Sequence, residues 1–402
     1  MSRIQRCAAN SLLLAVSVSV SLLSLELAAR IYLRSFASET AVRRYATAEE
    51  LEERLGTERR IFSPHPYLRF YLTPGYAHEA NRHNALGYRG EEIQEKEPGE
   101  FRIVCIGGST TYTSGVSDYR RSFPDLLERH LESKGFETVN VINAGTPGWS
   151  TWESLINFEF RVADLDPDLI IVYHAVNDVG PRLVWPIDAY RGDNTGAQAA
   201  IRVFNARHRA FEHSTLVRMF LIKLGMLRSE SELSFSDRPA ETLYAREFDG
   251  QSWRGEYPSG FFLKVSADSL LRANPPIYYR RNLENLVALA QNRGIEVMLA
   301  TFAVLLWRQP AQHSSWHSDE YFRSIDEANE IVRQIADTMG VHLFDFAETF
   351  PRDKRFFKTY ERAGRTHWNA YHLNEAGAEL KAKQFAEFLA EEVLGPSARS
   401  VP

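Results

Sequence analysis

Short, continuously apolar runs alternate with longer amphipathic stretches over most of the chain, and this alternation restricts the fold more than any other sequence feature. The clearest run is Arg102-Ile-Val-Cys-Ile106, which ends in Gly107-Gly108, as expected of a buried strand that meets a tight turn. Runs without polar alternation indicate strands that are covered on both faces, which is typical of parallel sheets. The predicted strands are 102–106, 138–143, 168–174, 295–301 and 341–345, and the predicted helices are 123–134, 151–163, 276–293, 319–339 and 374–394. The sequence therefore predicts a three-layer α/β fold, in which a doubly wound sheet of five parallel strands lies between helices.

Composition excludes several classes of protein. With 47 Lys and Arg against 52 Asp and Glu, the net charge is −5, and no block of like charge offers a surface for nucleic acid. Hydrophobic residues at 44% and charged residues at 25% are typical of a globular protein rather than a disordered one. The two cysteines, Cys7 and Cys105, are too few for a disulfide framework. No nucleic-acid partner and no cofactor are expected.

The N-terminus has the pattern of a segment that enters a membrane. Arg3 and Arg6 precede the uncharged run 12–25, and continuing to residue 33 gives a helix of about 20 residues that is long enough to cross a bilayer. Glu26 and Arg30 interrupt this helix four residues apart, so they lie on one face and can pair with each other or with a partner helix. We expect residues 1–35 to be an uncleaved signal anchor or transmembrane helix, with a cleaved signal peptide as the alternative. The basic end then stays in the cytoplasm of a bacterium, and the single-pass protein carries its body in the periplasm or outside the cell.

The remaining chain divides into two predicted regions. Residues 36–100, with a helical stretch at 47–59, suggest a stalk and lead-in, and residues 101–396 suggest the α/β domain. Residues 181–275 break the strand and helix alternation and are longer than a compact-domain loop, so they are interpreted as an insertion. A helix is predicted at 216–226 within this insertion. Ordinary packing on the sheet is the favoured interpretation of that helix, and a cap over the site or a membrane-facing helix are the alternatives.

Three unusual turns follow the first three predicted strands. They are Gly107-Gly-Ser-Thr-Thr111, Asn143-Ala-Gly-Thr-Pro-Gly148 and Ala175-Val-Asn-Asp178. Since ligands bind beyond the carboxyl ends of the strands in such sheets, these turns are expected to meet at one edge. A phosphate-binding loop requires a Lys after the glycines, and none follows here, so phosphate binding is disfavoured.

A serine at such a turn is either a helix cap or a nucleophile. Ser109 would lie at a helix N-terminus, where backbone N–H groups stabilise an oxyanion. A nucleophilic serine requires a base, and His372 lies just before the final predicted helix, whose expected cap is Asn374. The end of that helix returns to the same edge of the sheet.

Together these blocks resemble the SGNH (GDSL-like) hydrolase superfamily, in particular its membrane-anchored bacterial members. The matching blocks extend over about 270 residues and are Gly107-Gly-Ser-Thr110, 143–148, His174-Ala-Val-Asn-Asp178 and Asn369-Ala-Tyr-His-Leu-Asn374. The lead-in Leu86-Gly-Tyr-Arg-Gly90 is also similar to the segment before the first strand in the anchored members. The resemblance implies a flavodoxin-like fold and an ester hydrolase.

Carried over residue by residue, the resemblance implies that Ser109 is the nucleophile and His372 the general base. It also implies that the Ser109 N–H, the Gly148 N–H and the Asn177 side-chain amide form the oxyanion hole. Gly145 is the rival to Gly148 for the glycine role.

The sequence departs from the family pattern at two positions. Ala175 replaces the usual glycine two residues before Asn177, and Asn369 replaces the usual Asp three residues before the histidine. Asn369 is expected to orient the imidazole as an amide, but it supplies no negative charge for the imidazolium, and such a change in a serine triad costs on the order of 10⁴-fold in kcat. Glu375 and Asp178 are alternative carboxylates that could approach the ring.

Other clusters are weaker candidates. His313 and His317 have a spacing that suits a metal, but a clear third ligand is lacking, so no metal site is expected. His367 and Trp368 either line the pocket or simply pack. Trp185, Tyr190 and Trp253 in the insertion could stack on sugars, although packing in the core or cap is favoured.

The sequence thus predicts a membrane-tethered serine esterase or O-acyltransferase for acyl esters of short chain, with carbohydrate of the cell envelope or of an exported polysaccharide as a candidate substrate. The alternative is a catalytically impaired relative that binds a glycan or a protein partner, because Asn369 and Ala175 depart from the pattern.

Overall fold

The computed structural model describes residues 3–47, 50, 61–63, 65, 68, 70–183, 190–192, 214–224, 226, 267–305, 319–362 and 365–395. The chain forms two compact units, one of residues 1–61 with 203–240, and one of residues 62–202 with 241–402. The predicted stalk and lead-in, 36–100, therefore contributes to both units, and the predicted helix at 47–59 lies almost entirely outside the described residues.

Helices and strands are numbered in chain order. The helices are α1 (Arg3–Ile31), α2 (Glu39–Tyr45), α3 (Ser109–Tyr112), α4 (Phe123–Ser133), α5 (Thr151–Asn157), α6 (Val176–Val179), α7 (Thr215–Lys223), α8 (Ala267–Ala273), α9 (Ile277–Asn292), α10 (Asp319–Met339), α11 (Phe346–Thr349) and α12 (Glu375–Glu392). The strands are β1 (Phe62–Ser63), β2 (Tyr71–Leu72), β3 (Ala77–His78), β4 (Asn81–Arg82), β5 (Phe101–Gly107), β6 (Val139–Asn143), β7 (Leu169–Tyr173), β8 (Glu296–Ala300), β9 (His342–Phe344), β10 (Phe357–Arg362) and β11 (Arg365–Leu373).

The second unit is built on a five-stranded sheet in the order β6-β5-β7-β8-β9, and every pairing is parallel. All five residues of β7 and residues 102–107 of β5 are buried, which explains why these strands are apolar without alternation. The predicted five-stranded, doubly wound α/β fold is confirmed, and each predicted strand agrees with the observed one to within two residues at either end.

The strand order reverses direction at β5. The connection through α4 leads to β6 on one side of β5, and the connection through α5 returns to β7 on the other side. Because such connections are right-handed, a helix that leads to a strand on one side of β5 covers one face of the sheet, and a helix that leads to the other side covers the opposite face. Accordingly α4 packs with α12, whereas α5 packs with α9, which also contacts α10. The crevice at this reversal, beyond the carboxyl ends of β5 and β7, is where such folds bind ligands.

The C-terminal part of the chain differs from the prediction. No strand was predicted between residue 345 and the last helix, but β10 and β11 pair there as an antiparallel hairpin. The last helix begins as expected, because the Asn374 side chain accepts a hydrogen bond from the Gly377 N–H and so caps α12.

The predicted helix at 216–226 is observed as α7, but its packing was predicted wrongly. It belongs to the first unit, where it contacts α1 and α2 rather than the sheet. The physical reason is a set of hydrogen bonds from its N-terminus to Glu26 of α1.

A lysine is buried beneath the edge of the sheet that carries Ser109. Lys381 on α12 is 1% exposed, its Nζ lies 3.6 Å from the ring centroid of Tyr173 and 4.0 Å from that of Phe123, and it points toward the Thr110 carbonyl oxygen at 3.4 Å. Burial lowers the pKa of this ammonium group from 10.5 to about 7. At neutral pH the folded protein therefore accommodates the side chain in part as the uncharged amine.

The free energy of unfolding should rise as the pH rises from about 7 toward 10, because the unfolded chain keeps a proton that folded Lys381 releases. Between pH 7.5 and 9.5 this rise should be on the order of 2 kcal/mol, and Lys381→Met should remove it. Denaturant unfolding of the full chain in detergent, followed by tryptophan fluorescence, measures the difference. Lys383→Met, which alters an exposed lysine of the same helix, is the matched control. Identical pH slopes for wild type and Lys381→Met would contradict the assignment.

Candidate active site

Two of the unusual turns are joined by backbone hydrogen bonds at the carboxyl end of β5. The Thr146 N–H donates to the Gly107 carbonyl oxygen at 2.9 Å, which attaches the turn after β6 to the end of β5. The turn after β7 lies equally close, since a Cβ atom on Gly108 would stand only 2.5 Å from Asn177 Nδ2. The three turns therefore meet at one edge of the sheet, as the strand topology requires.

Ser109 is the first residue of α3, and its hydroxyl faces a histidine. The Oγ atom lies 2.7 Å from Nε2 of His372, which is the geometry in which the serine hydroxyl donates its proton to a neutral imidazole. Ser109 itself is 8% exposed. The structure thus joins the two residues that the sequence singled out as nucleophile and base, although 263 positions separate them.

His372 reaches Ser109 because two backbone segments touch. It lies near the end of β11, and the following residue, Leu373, has a carbonyl oxygen that would stand 1.7 Å from a Cβ atom placed on Gly115. Only glycine permits this approach between the loop after α3 and the strand that carries His372. Residue 115 therefore sets how close the two halves of the site can come.

Asn369 does not have the predicted contact with the imidazole. Its Oδ1 accepts the backbone N–H groups of Tyr371 at 3.0 Å and His372 at 2.8 Å, a local turn that shapes the end of β11. The alternative carboxylates are engaged elsewhere. Asp178 accepts from the Thr151 N–H and hydroxyl, and Glu375 forms an ion pair with Arg121 at 2.8 Å. Within the described part of the chain, no ion pair joins His372 to a carboxylate.

The environment of His372 disfavours the imidazolium. Burial of the ring, and then the positive charge of Lys358 on β10, lower its pKa from 6.5 to about 3. The Lys358 ammonium also points toward the Ser114 carbonyl oxygen at 3.4 Å, so it belongs to the same edge of the site. The imidazole of His372 is therefore neutral and able to accept a proton at all ordinary pH values, but its basicity is low.

Candidate oxyanion donors surround the start of α3. The Gly145 N–H donates to Asn143 Oδ1 at 3.1 Å, so the backbone hydrogen of this rival to Gly148 is used within the turn. Asn177 Nδ2 carries two hydrogens, and one of them donates to the carbonyl oxygen of Trp149, the residue after Gly148, at 2.8 Å. The amide of Asn177 is thus held beside the turn that contains Gly148.

Ala175 is buried at the start of the turn that carries Asn177, and its backbone has a φ of −169° and a ψ of −58°. The methyl group at this position, where the family usually has glycine, is packed in the hydrophobic core.

Arg89, in the lead-in before β5, was not predicted as a site residue. Its buried guanidinium donates to the carbonyl oxygens of residues that follow the nucleophile, and its Nε donates to Asn81 Oδ1 at 2.8 Å. The carbonyl acceptors are those of Tyr112, Thr113, Val116 and Ser117. A single arginine satisfies these buried carbonyls because its planar group offers five donors.

This loop needs such support because Thr113 has a φ of +65°, a left-handed conformation that is costly for a β-branched residue. Its side chain adds two contacts, donating to the Thr111 carbonyl oxygen at 3.1 Å and accepting from the Phe123 N–H at 2.9 Å. The similarity of the lead-in to anchored SGNH members was the one sequence signal that could have identified Arg89.

The weaker sequence candidates do not add to the site. Among the described residues no group of three or more His, Cys, Asp or Glu is arranged to hold a metal ion. Tyr190 packs edge-on against Tyr278, and Trp368 lies under the Lys354 ammonium at 4.6 Å. The candidates that lie outside the described residues are His313, His317, Trp185, Trp253 and the side chain of His367.

Sequence comparison identifies the family. The model of the GDSL-like lipase/acylhydrolase family matches residues 105–230 and 261–380, which is more than half of the chain and includes both Ser109 and His372. The chain belongs to the GDSL-like lipase/acylhydrolase family. It is accordingly an SGNH-type ester hydrolase, and the predicted resemblance is confirmed. None of the curated proteins compared with this GDSL-like chain matches it.

Solved structures of the same kind are similar to this GDSL-like hydrolase at low identity. A lipase/acylhydrolase from Enterococcus faecalis is 14% identical, with a TM-score of 0.39, over 72% of this chain and 95% of that one. An acetyl xylan esterase from Geobacillus stearothermophilus is also 14% identical, with a TM-score of 0.39, over 74% of this chain and 100% of that one. Because both TM-scores lie below 0.5, the family assignment rests on the sequence match.

Gly115→Ala should abolish most ester hydrolysis by this GDSL-like chain while leaving it folded. A methyl group at residue 115 must push the Leu373 carbonyl away, and a displacement of about 1 Å between reacting groups costs roughly 10²-fold in rate. The measurement is kcat/KM for p-nitrophenyl acetate together with the melting temperature. Gly135→Ala is the control, since a Cβ atom there meets no atom within 4 Å, and only its φ of +90° is strained. Full activity of Gly115→Ala would show that the contact does not position His372.

The low pKa of His372 predicts a distinctive pH profile. In the free enzyme kcat/KM should stay level as the pH falls through 6.5, because the folded imidazole is not yet protonated there. Lys358→Met removes a nearby positive charge and should shift the acidic limb to higher pH, so that activity is lost earlier on acidification. Lys354→Met, on the preceding turn and in contact with Trp368, serves as the comparison. A wild-type acidic limb centred at 6.5 would contradict the predicted environment.

Proposed function

We propose that the chain is a membrane-tethered serine esterase in which Ser109 is the nucleophile, His372 the general base, and Ser109 N–H, Gly148 N–H and the Asn177 amide the oxyanion hole. The observation that carries this proposal is the 2.7 Å contact between Ser109 Oγ and His372 Nε2 at the carboxyl edge of the sheet. A nucleophile and base within hydrogen-bond reach are what covalent acyl transfer requires.

The reaction follows from this pair. Ser109 Oγ attacks the carbonyl carbon of the ester while its proton passes to His372 Nε2, and the carbonyl electron pair moves onto oxygen, where the three donors bind it. Collapse of this intermediate breaks the bond to the leaving alcohol, which takes the proton from His372. Water, deprotonated by His372, then attacks the acyl-serine, and the acid departs as Ser109 recovers its proton.

The contacts of Asn369 limit the rate of the proposed ester hydrolysis. In a complete triad a carboxylate holds the imidazole and stabilises its positive charge, whereas here the Asn369 carbonyl oxygen binds two backbone N–H groups. The imidazolium that forms in each transition state is therefore less stabilised, so we expect slow turnover of simple esters.

The same observation favours a second candidate function. A chain in which His372 has a pKa of about 3 and no carboxylate partner among the described residues could keep the fold and bind glycan or a protein while turning over little or no ester. The two candidates differ in whether the Ser109 hydroxyl is activated.

The proposed tether is α1 with its continuation. Among the described residues, the helix of Ala9–Phe36 is long and apolar enough to cross a membrane, and its most apolar 18 residues have a mean hydropathy of 2.1 and are not buried against the protein. A signal sequence would have the same properties, so retention of the helix is part of the proposal. Arg3 and Arg6 place its beginning in the cytoplasm by the charge rule, which positions the hydrolase in the periplasm or outside the cell of a bacterium.

For an exported hydrolase of this family, O-acyl groups on envelope or exported polysaccharide are the substrate we propose. Whether water or a carbohydrate hydroxyl accepts the acyl group distinguishes an esterase from an O-acyltransferase. Both reactions use the same Ser109 and His372 chemistry, and glycerol added as an alcohol acceptor would reveal transfer as a glyceryl ester product.

The test uses the full chain in detergent with p-nitrophenyl acetate and butyrate. Ser109→Ala and His372→Ala should each lower kcat by about 10³-fold or more. Asn369→Asp should raise it by about tenfold, since a negative charge raises the basicity of His372 and stabilises its imidazolium. A fluorophosphonate should label wild type but not Ser109→Ala.

Ser154→Ala is the control for this series. Ser154 Oγ also lies 2.8 Å from a histidine, His174, but both residues are buried and Ser154 lies within α5 rather than in a strand-end turn, so labelling of Ser109 should persist. If folded wild type shows neither turnover nor labelling, and Asn369→Asp restores neither, the binding function is correct and the esterase proposal is wrong.

A further inference from the structure

The predicted insertion contacts the N-terminal helix at the carboxylate of Glu26. Glu26 of α1 accepts hydrogen bonds from Ser214 Oγ at 2.8 Å and from the backbone N–H groups of Thr215 and Leu216 at 2.9 Å each. Its other partner is Arg30 Nε at 2.7 Å. Glu26 therefore caps the N-terminus of α7 although it lies 188 residues or more away in sequence, and the acidic residue that interrupts the apolar helix is explained.

A second polar contact fixes how α7 is rotated. Arg218 is buried, and its guanidinium donates to the Tyr45 carbonyl oxygen at 2.8 Å and pairs with Glu50 at 2.6 Å. Thr215 and Ile222 are buried on the same face of the helix. This face is turned toward the rest of the first unit.

The opposite face of α7 is apolar and exposed. Val217, Phe220 and Leu224 follow one another at helical spacing and are 37%, 60% and 56% exposed. Met226, just beyond the helix, is exposed as well. A helix that buries an arginine and exposes a phenylalanine has the reverse of the arrangement expected in water.

The position of Glu26 along α1 indicates how deep in a bilayer the exposed face of α7 would lie. The 20 residues from Arg6 to Glu26 rise about 30 Å in an α-helix, which equals the thickness of the hydrocarbon core of a bilayer. With Arg6 at one boundary, Glu26 and the N-terminus of α7 lie at the other. The neighbouring part of the N-terminal helix is also apolar and exposed there, at Leu27, Ile31, Tyr32 and Phe36.

We propose that α7 is an interfacial membrane helix, whose face of Val217, Phe220 and Leu224 lies among the lipids of the outer boundary of the bilayer that α1 spans. This inference rests on the proposed membrane tether. Lipid is the occupant that the structure favours, because α7 packs against α1, and both helices expose rows of apolar side chains. The insertion thus gives the enzyme a second membrane contact beside its anchor.

The experiment places a fluorophore on single cysteines of the full chain, reconstituted in phosphatidylcholine vesicles. Cys7→Ser removes one native thiol, and Cys105 is buried. The labelled variants are Phe220→Cys on α7, Leu22→Cys within α1, and Thr40→Cys on the exposed side of α2. Each label is quenched either by lipid that carries a nitroxide on its acyl chain or by iodide present on both sides of the vesicle.

The label at residue 220 should behave like the one at residue 22, with at least threefold stronger quenching by nitroxide lipid than the label at residue 40 and weaker quenching by iodide. If residue 220 instead matches residue 40 while residue 22 is quenched by lipid, the interfacial helix is wrong and the membrane span stands. If iodide quenches the label at residue 22, the span itself is wrong. Protection of residue 220 from both quenchers would show that protein covers α7, which also overturns the proposal.

Discussion

The proposed site depends on the close approach of two backbone segments, one after Ser109 and one at the end of the strand that carries His372. Gly115 and Leu373 are in contact at a separation that no side chain would allow, and the hydrogen bond between Ser109 and His372 spans the gap beside them. Hydrogen bonds of this kind tolerate displacements of only a few tenths of an ångström before they weaken. The geometry of the reacting pair is therefore set by main-chain packing rather than by a chain of charged side chains.

Arg89 and Lys381 both contact carbonyl oxygens of residues 110–117, and the structure accommodates these two buried cationic residues in different ways. Arg89 keeps its charge and spreads it over several carbonyl oxygens of the loop that holds Thr113 in its strained conformation. Lys381 has aromatic rings and one distant carbonyl around it, and the cost of burial lowers its pKa to about 7. Arginine provides structure here because its geometry matches several acceptors, whereas lysine adapts by releasing its proton.

The sequence was sufficient to predict the central sheet and the contact between Ser109 and His372. Buried parallel strands are recognisable because each is a continuous apolar run, and their topology then dictates where the following turns meet. The hairpin of β10 and β11 was missed because its residues are polar or aromatic, without an apolar run that marks a strand. The contact of Asn369 with backbone groups was missed because the family pattern suggested a ring partner.

Contacts between residues that are distant in the chain were the other feature that the sequence did not predict. Apart from the resemblance of the lead-in to anchored family members, nothing in the sequence marks Arg89 as the residue that binds the loop after α3, since a single arginine in an irregular segment is usually exposed. The same holds for α7, whose amphipathic pattern reveals a buried and an exposed face but not which element covers the buried one. Glu26 and Arg30 were expected to pair or to meet a partner helix, and both contacts are present.

The order of the chain has a consequence for the newly made protein. Ser109 lies in the first third of the sequence, but His372 and the hairpin that carries it come shortly before the C-terminus. A chain that emerges N-terminus first can form β5, β6 and β7 and expose the turn after each while the base has not yet been synthesised. Ser109 therefore gains its contact with His372 only after a further 263 positions of the chain have been made, so a chain that stops before His372 lacks this contact.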